Sequence, residues 1–421
     1  VNAMSYDVVR FHRCRIMRLL PLLGLALLLV ACQIPPRLTV VATAIPTPVD
    51  RRVYDPLVPT VLPAPSPVAA TPTPTPAATA IISATTVLTP AATLTPTMPT
   101  EALAIRPPLQ QGSARSRLGV GVPLNVTDFT FNEALAAQLG MGWYLDWHIN
   151  QRPITAGGLQ YAQLYAMRNR NIPLLRDPIA RVAAARPGSL WLAGNEPDVI
   201  WQDNQTPETY ARLYHDFYVL VKQLDPTAQV AIAGVSQVTP LRLQYLERVL
   251  AAYQQMYGKP MPVDVWNVHA FVLREERDSW GVSIPPGFDV DKGMLWEIED
   301  HASLELFQQQ VVDFRRWMAK QGQREKPLVV SEFGILMPAE YGFSPDVVSR
   351  FMTQTFDYLL NAIDPEIGYS ADDNRLVQRF VWYSLSDTVY PVGNLVDAKT
   401  GHLTSVGETF ARYAASLETS P

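Results

Sequence analysis

The chain has 421 residues, 48% of them hydrophobic and 17% charged, and a formal net charge of −5. That length permits a large buried core, and the acidic balance argues against nucleic acid and against electrostatic adhesion to anionic lipid. Its two cysteines, Cys14 and Cys32, offer no disulfide framework, so stability must come from packing.

Arg10, Arg13, Arg15 and Arg18 precede an apolar run from Leu19 to Ala31 that is too short for a typical membrane span. The run closes in Leu29-Val30-Ala31-Cys32, which resembles the lipobox of bacterial lipoproteins. The resemblance implies cleavage before Cys32, lipidation of Cys32, and export to the cell-envelope surface with a membrane anchor. The alternative is a plain signal peptide, with Met4 or Met17 as the start. Removing residues 1–31, with four arginines and one aspartate, takes the net charge from −5 to −8. Residues 32–112 are rich in Pro, Thr, Ala and Val, with Thr71-Pro72-Thr73-Pro74-Thr75-Pro76 at their centre. Proline removes backbone donors, so this segment reads as a disordered, PPII-biased tether, extensible by about 3.1 Å per residue.

Residues 113–421 read as one α/β domain, a (β/α)8 TIM barrel. Eight short apolar runs are expected to be its strands: Leu118 to Val122, Gly142 to Asp146, Ile172 to Leu175, Ser189 to Ala193, Gln229 to Ala233, Val263 to Val268, Pro327 to Ser331 and Arg379 to Tyr383. Most are separated by helical patterns, as parallel strands with crossover helices require. Thr206-Pro207-Glu208 opens a helix with Tyr210, Leu213, Tyr214, Phe217, Leu220, Val221 and Leu224 at helical spacing. Pro240 to Tyr257 is another, with Leu243, Leu246, Val249, Leu250 and Tyr253 on one face, and Leu304 to Met318 and Val347 to Leu360 behave alike. The alternative is an open doubly wound sheet, but Gly119-Val120-Gly121 lacks the third glycine of a phosphate loop.

Leu190-Trp191-Leu192-Ala193-Gly194 ends abruptly in Asn195-Glu196-Pro197-Asp198, and Leu328-Val329-Val330-Ser331 ends in Glu332-Phe333-Gly334. A carboxylate inside a core strand is costly unless paired or neutralised. At a barrel rim the same carboxylate is held rigidly at the edge of a cleft. Two of them, from two strand ends, are the basic equipment of a glycosidase.

On these two segments the chain resembles the clan A glycoside hydrolases, and most closely their glucanase-like catalytic domains with an Asn-Glu-Pro-Asp signature. The resemblance implies that Glu196, after the fourth strand, is the acid/base and Glu332, ending the seventh, the nucleophile of a retaining double displacement. It implies that Asn195 donates to the sugar 2-hydroxyl, and that the substrate is a β-linked polysaccharide or oligosaccharide. His269, in Trp266-Asn267-Val268-His269-Ala270-Phe271, falls where the family often has His-x-Tyr; Phe271 departs from that pattern and cannot supply a hydroxyl to the nucleophile. Trp382 matches a strand-ending tryptophan and is expected to stack on a sugar ring. Trp147 and His148 after the second run and Arg176 after the third are further candidates for substrate binding, against readings as structural ion pairs or packing groups. Trp201 and Trp280, on loops after the fourth and sixth runs, either widen the cleft or pack on its shoulder.

His-Glu-x-x-His and Gly-x-Ser-x-Gly are absent, and no histidines pair at helical spacing, so no metal, organic cofactor or esterase nucleophile is expected. The expected protein is a monomeric, lipid-anchored glycosidase. The rival is a surface carbohydrate-binding lipoprotein on a degenerate, non-catalytic barrel.

Overall fold

The structure, a computed structural model, describes residues 112–123 and 129–417. The signal segment, Cys32 and nearly all of the tether lie outside the described residues. No helix among the described residues is long and apolar enough to cross a membrane.

After one helical turn, α1 (Ala114–Arg117), strands and helices largely alternate. The order is β1 (Leu118–Gly121), α2 (Glu133–Leu139), β2 (Trp143–Leu145), β3 (Gln160–Tyr161), β4 (Gln163–Leu164), α3 (Arg176–Ala185), β5 (Leu190–Asn195), α4 (Pro207–Leu224) and β6 (Gln229–Gly234). Then follow α5 (Pro240–Tyr257), β7 (Trp266–His269), α6 (Leu304–Lys320), β8 (Leu328–Phe333), α7 (Pro345–Asn361), β9 (Arg379–Trp382) and α8 (Ser405–Ser416). Every ladder between these strands is parallel.

The strands form a six-stranded sheet in the order β3-β2-β1-β9-β8-β7 and a three-stranded sheet β4-β5-β6, so the ladders stop short of one closed barrel. The two sheets approach at both seams. Only Ala162 separates β3 from β4, and its N–H donates to the Tyr144 carbonyl. At the other seam, isolated bridges join Ala231 to Val265 and Val235 to Val268. Trp143, Leu145, Leu164, Leu192, Ala231, Val329 and Val381, drawn from both sheets, pack into one buried cluster. A larger core fills the space between strands and helices.

Local chemistry explains the helix starts. Thr206, Thr239 and Ser344 each accept a hydrogen bond from the backbone N–H three residues on, and each precedes a proline at the first helical position. The side chain satisfies one orphan N–H and proline's fixed φ suits the first turn. The α4 stripe is buried as its periodicity predicts. In α5 the buried face is rotated from the expected one: Arg242, Tyr245, Leu246, Val249, Ala252 and Tyr253 point inward, while Leu243 and Leu250 are only half-buried.

One expected strand is wrong. Ile172–Leu175 is a 3-10 turn running directly into α3, and the third rung is instead the short pair β3 and β4. Pro173 cannot donate to a ladder, and its ring suits the start of a helical segment.

Candidate active site

Strand ends deliver the chemistry. β5 runs out at Asn195, and Glu196 follows in the left-handed region, at φ 43°. Gly194, at φ 114°, is needed there because a Cβ would lie 2.9 Å from Asp203 Oδ2 and 3.0 Å from Met167. Glu332 sits on β8 and pairs in register with His269 on β7, where the ladder slips after Val268. The result is a buried chain of three groups. His269 Nδ1 lies 2.9 Å from Glu196 Oε1, and His269 Nε2 lies 3.5 Å from Glu332 Oε1. One ligand-type atom from each of the three falls within 4.8 Å of the other two.

Burial raises the Glu332 carboxyl to about 7, with the Glu196 charge adding to the rise and His269 and the Trp147 N–H opposing it. Burial opposes a charge on His269, but the facing Glu332 and Glu196 carboxylates, with Asp198 behind, hold its pKa above the usual range. Glu332 and His269, facing each other, therefore release their protons as a linked pair. Among the described residues the trio of Glu196, His269 and Glu332 is also the one group with the ligand types and spacing to hold a metal ion. However, both imidazole nitrogens already face carboxylate oxygens. An ion would have to draw the ring away from one of them.

Trp147 completes the floor. Its indole N–H donates to Glu332 Oε1 at 2.6 Å, and its backbone is held at φ 60°. A tryptophan in that region is strained by on the order of 1 kcal/mol or more. Asp146 holds the turn: its carboxylate accepts from the His148 N–H at 3.1 Å, from Asn150 Nδ2 at 3.3 Å and from the Tyr161 hydroxyl. Burial raises the Asp146 pKa. Gly119 and Gly121, the weak match to a phosphate loop, serve this corner. A Cβ on Gly119 would meet the Trp143 indole at 2.6 Å, and one on Gly121 the Trp147 ring at 2.7 Å.

The loops are locked from behind by Arg242, fully buried on α5. It contacts Asp198 Oδ2 and Glu275 Oε1 at 3.0 Å each, and donates to the carbonyls of Asp198 at 2.7 Å and Ser283 at 2.8 Å. His301 ties the same β7–α6 connection to the loop after β8, accepting from Leu336 N–H at 2.8 Å with Nδ1 2.9 Å from the Val272 carbonyl. Burial drops its pKa to about 4, so the ring is neutral.

The sequence candidates separate cleanly. Glu196, Glu332, His269 and Trp147 come together, and Asn195 joins them with its Oδ1 buried and without a partner among the described residues. Glu196 caps no helix, since α4 begins only at Pro207 under Thr206. His148 faces solvent at the rim, Nδ1 2.6 Å from the Asp146 carbonyl. Trp382 is not a sugar platform: it is fully buried, donates to the Gly393 carbonyl at 2.9 Å and packs on Phe333 and Phe356. Arg176 is likewise misplaced by the sequence reading. With no strand before it, it opens α3 and points an exposed side chain toward Gln223 on α4.

The flat surfaces come from two loop tryptophans and a tyrosine. Trp201, Trp280 and Tyr383, all half-buried, pack on Val199, Phe271 and Leu273, and the Tyr383 ring stands 5.7 Å from that of Trp147. Tyr383 donates its hydroxyl to Asp387. Two surface hollows, about 480 and 560 Å³, share edges with this rim at Leu336 and Trp201, and neither contains the trio.

Gly234, at the end of β6, leaves room for the imidazole, since a Cβ there would lie 2.4 Å from His269 Cδ2 and 2.6 Å from Nε2. Gly234→Ala is therefore expected to push the ring off both carboxylates. The pH–rate profile should shift and kcat fall by roughly 10- to 100-fold. An unaltered profile would mean that the ring does not tune the pair.

No family model matches the chain, and no curated protein matches it. Solved structures do. A glucosidase from Croceicoccus marinus is 13% identical with a TM-score of 0.50, covering 73% of this chain and 69% of its own. A GH128 endo-β-1,3-glucanase from Amycolatopsis mediterranei, in complex with laminaritriose, is 18% identical at a TM-score of 0.47, over 71% of this chain and 99% of that one. A GH128 curdlan-specific exo-β-1,3-glucanase from Blastomyces gilchristii, in complex with glucose, is 19% identical at 0.47, over 71% and 99%. At these identities the likeness to the glucosidase is one of fold, an α/β domain built on parallel strands.

Proposed function

We propose that the chain is a retaining glycoside hydrolase acting on a β-linked glycan, with its two sheets forming the arcs of one (β/α)8 barrel. The observation that carries this reading is the pair Glu196 and Glu332, from two strand ends, bridged by His269 and with oxygens within 4.8 Å of each other. Retaining enzymes hold their carboxyl groups about 5–5.5 Å apart, whereas inverting ones leave about 6.5–9.5 Å for a water.

In this reading Glu196 protonates the departing oxygen and later activates water. Glu332 attacks the anomeric carbon, its charge held by the Trp147 N–H and by His269. Proton traffic between the two acids has a route through the imidazole. Asn195, with a buried and unpaired side-chain oxygen, meets the sugar hydroxyls, and Trp201, Trp280 and Tyr383 offer flat apolar faces to the rings. The lipobox-like segment at Cys32 supports an exported, membrane-anchored enzyme.

The test is product stereochemistry, followed by NMR of the anomeric proton during cleavage of a glycan panel that includes laminaritriose. The first-formed product should keep the β configuration. An α product at early times would overturn the double displacement. Binding without cleavage of any glycan would instead favour the non-catalytic carbohydrate-binding barrel.

A further inference from the structure

Between Trp147 and Gly188 the sequence carries six arginines and a single acidic residue, in a chain whose net charge is −5. Two of these, Arg168 and Arg170, line the hollow of about 560 Å³ together with Trp201, Gln202 and Asn204. Both are exposed, and neither guanidinium makes a hydrogen bond or ion pair with any described residue. One acidic group, Asp203, also lines the hollow and its charge reaches Arg168, but its oxygens are already committed to backbone donors. It is buried, and its carboxylate accepts from the N–H groups of Met167 at 2.8 Å, Arg168 at 3.2 Å and Asn195 at 2.7 Å.

These contacts join the hollow to the catalytic floor. One carboxylate holds both the backbone of Arg168 and that of Asn195, the residue before Glu196. Trp201 lines the hollow and packs in the aromatic cluster with Phe271 and Tyr383, next to Trp147. A glycan lying across the rim would thus bring a neighbouring sugar over two exposed guanidinium groups that make no direct ion pair. A neutral sugar has no use for two of them. An oxyanion does, because the planar fork of arginine matches carboxylate and sulfate oxygens with paired, charge-assisted hydrogen bonds.

We infer that this hollow, with Arg168 and Arg170 as its cations and Trp201 as its flat wall, binds an anionic substituent, a carboxylate or a sulfate ester, on a sugar residue of the glycan. The inference rests on the glycosidase reading for the ligand's being a glycan, but its readout is binding and not turnover.

The experiment uses the full chain carrying Glu332→Gln, with and without Arg168→Gln and Arg170→Gln together. It measures affinity for an array of oligosaccharides in neutral, uronate-containing and O-sulfated forms at low and high salt. At least one anionic class should bind roughly tenfold tighter than its neutral counterpart, weaken as salt rises, and fall to parity with it in the arginine double variant. The uronate and sulfate arms tell the two sources apart. A double Arg→Lys variant should keep the salt dependence while losing part of the affinity, which separates lost charge from a damaged loop. If no anionic glycan binds better than its neutral form, or the preference survives the double variant, the inference is overturned while the glycosidase reading stands. Arginine-dependent anionic binding by a wild-type chain that cleaves nothing would uphold the hollow and overturn the enzyme.

Discussion

Glu332→Gln is expected to lose turnover by on the order of 10³–10⁴-fold and yet to melt at a higher temperature than the parent above pH 7. The first effect follows from removing the proposed nucleophile. The second follows from burial, which raises the folded-state pKa of Glu332 from 4.5 to about 7. Between those values the folded chain holds a proton that the unfolded chain has released. The stability associated with that proton is fully present below pH 4.5 and is lost as pH rises through about 7. Above pH 7 the fold contains a buried carboxylate, a penalty on the order of 3 kcal/mol that glutamine does not carry.

His301 pulls the other way. Its pKa falls from 6.5 to about 4, so its contribution is present above pH 6.5 and lost as pH drops toward 4. In the parent these two slopes oppose each other over their shared window; in the variant the Glu332 slope is gone and the His301 slope is no longer offset by it. Thermal melts across pH check this, and a variant no more stable than the parent above pH 7 would show that the neighbours already neutralise Glu332. The same carboxyl should set the acid limb of kcat/KM near pH 7, as an apparent value it shares with His269.

Arg242→Leu should destabilise the fold by about 3–5 kcal/mol, read from urea unfolding, because it strands Asp198 and Glu275 as buried charges without their cation. Asp198 lies two residues from Glu196, so any folded fraction should also show a raised KM and a lowered kcat. Arg242→Lys restores the charge but not the fork that reaches both carboxylates and the loop carbonyls, and should recover only part of the loss. A loss under about 1 kcal/mol for Arg242→Leu would mean that the clamp adds little beyond packing.

The alternation of strands and helices is legible in the sequence because apolar runs and threonine- or serine-proline caps are local signals. Asn195-Glu196 and Glu332 are legible for a related reason: a carboxylate that closes an apolar strand is too costly to bury idly, and so marks the edge of a cleft. The third rung is not legible. Gln160, Gln163 and their neighbours form strands of two residues each, too short and polar to stand out, while Ile172-Pro173-Leu174-Leu175 mimics a strand in everything but its proline. That mimicry assigns Arg176 to a rim that it does not reach. Trp382 misleads because a strand-ending tryptophan can turn to either side of the sheet. Arg242 is hidden in an amphipathic helix, since only the contacts of two distant loops reveal that its charge is turned inward. Gly119, Gly121 and Gly234 are visible as glycines, but the rings they admit come from other strands.

The pairing of β1 with β9 has a consequence for how the chain is made. Leu118 meets Phe380, and Arg117 is bonded to Asp372 at 2.6 and 2.8 Å across 255 residues of sequence. A ribosome adding on the order of 5–20 residues per second leaves that first strand without its neighbour for tens of seconds. During that interval the emerging chain presents an apolar, open edge, the type of surface on which nascent proteins aggregate. Its yield in a cell should therefore depend on what shields that edge until the last strand arrives.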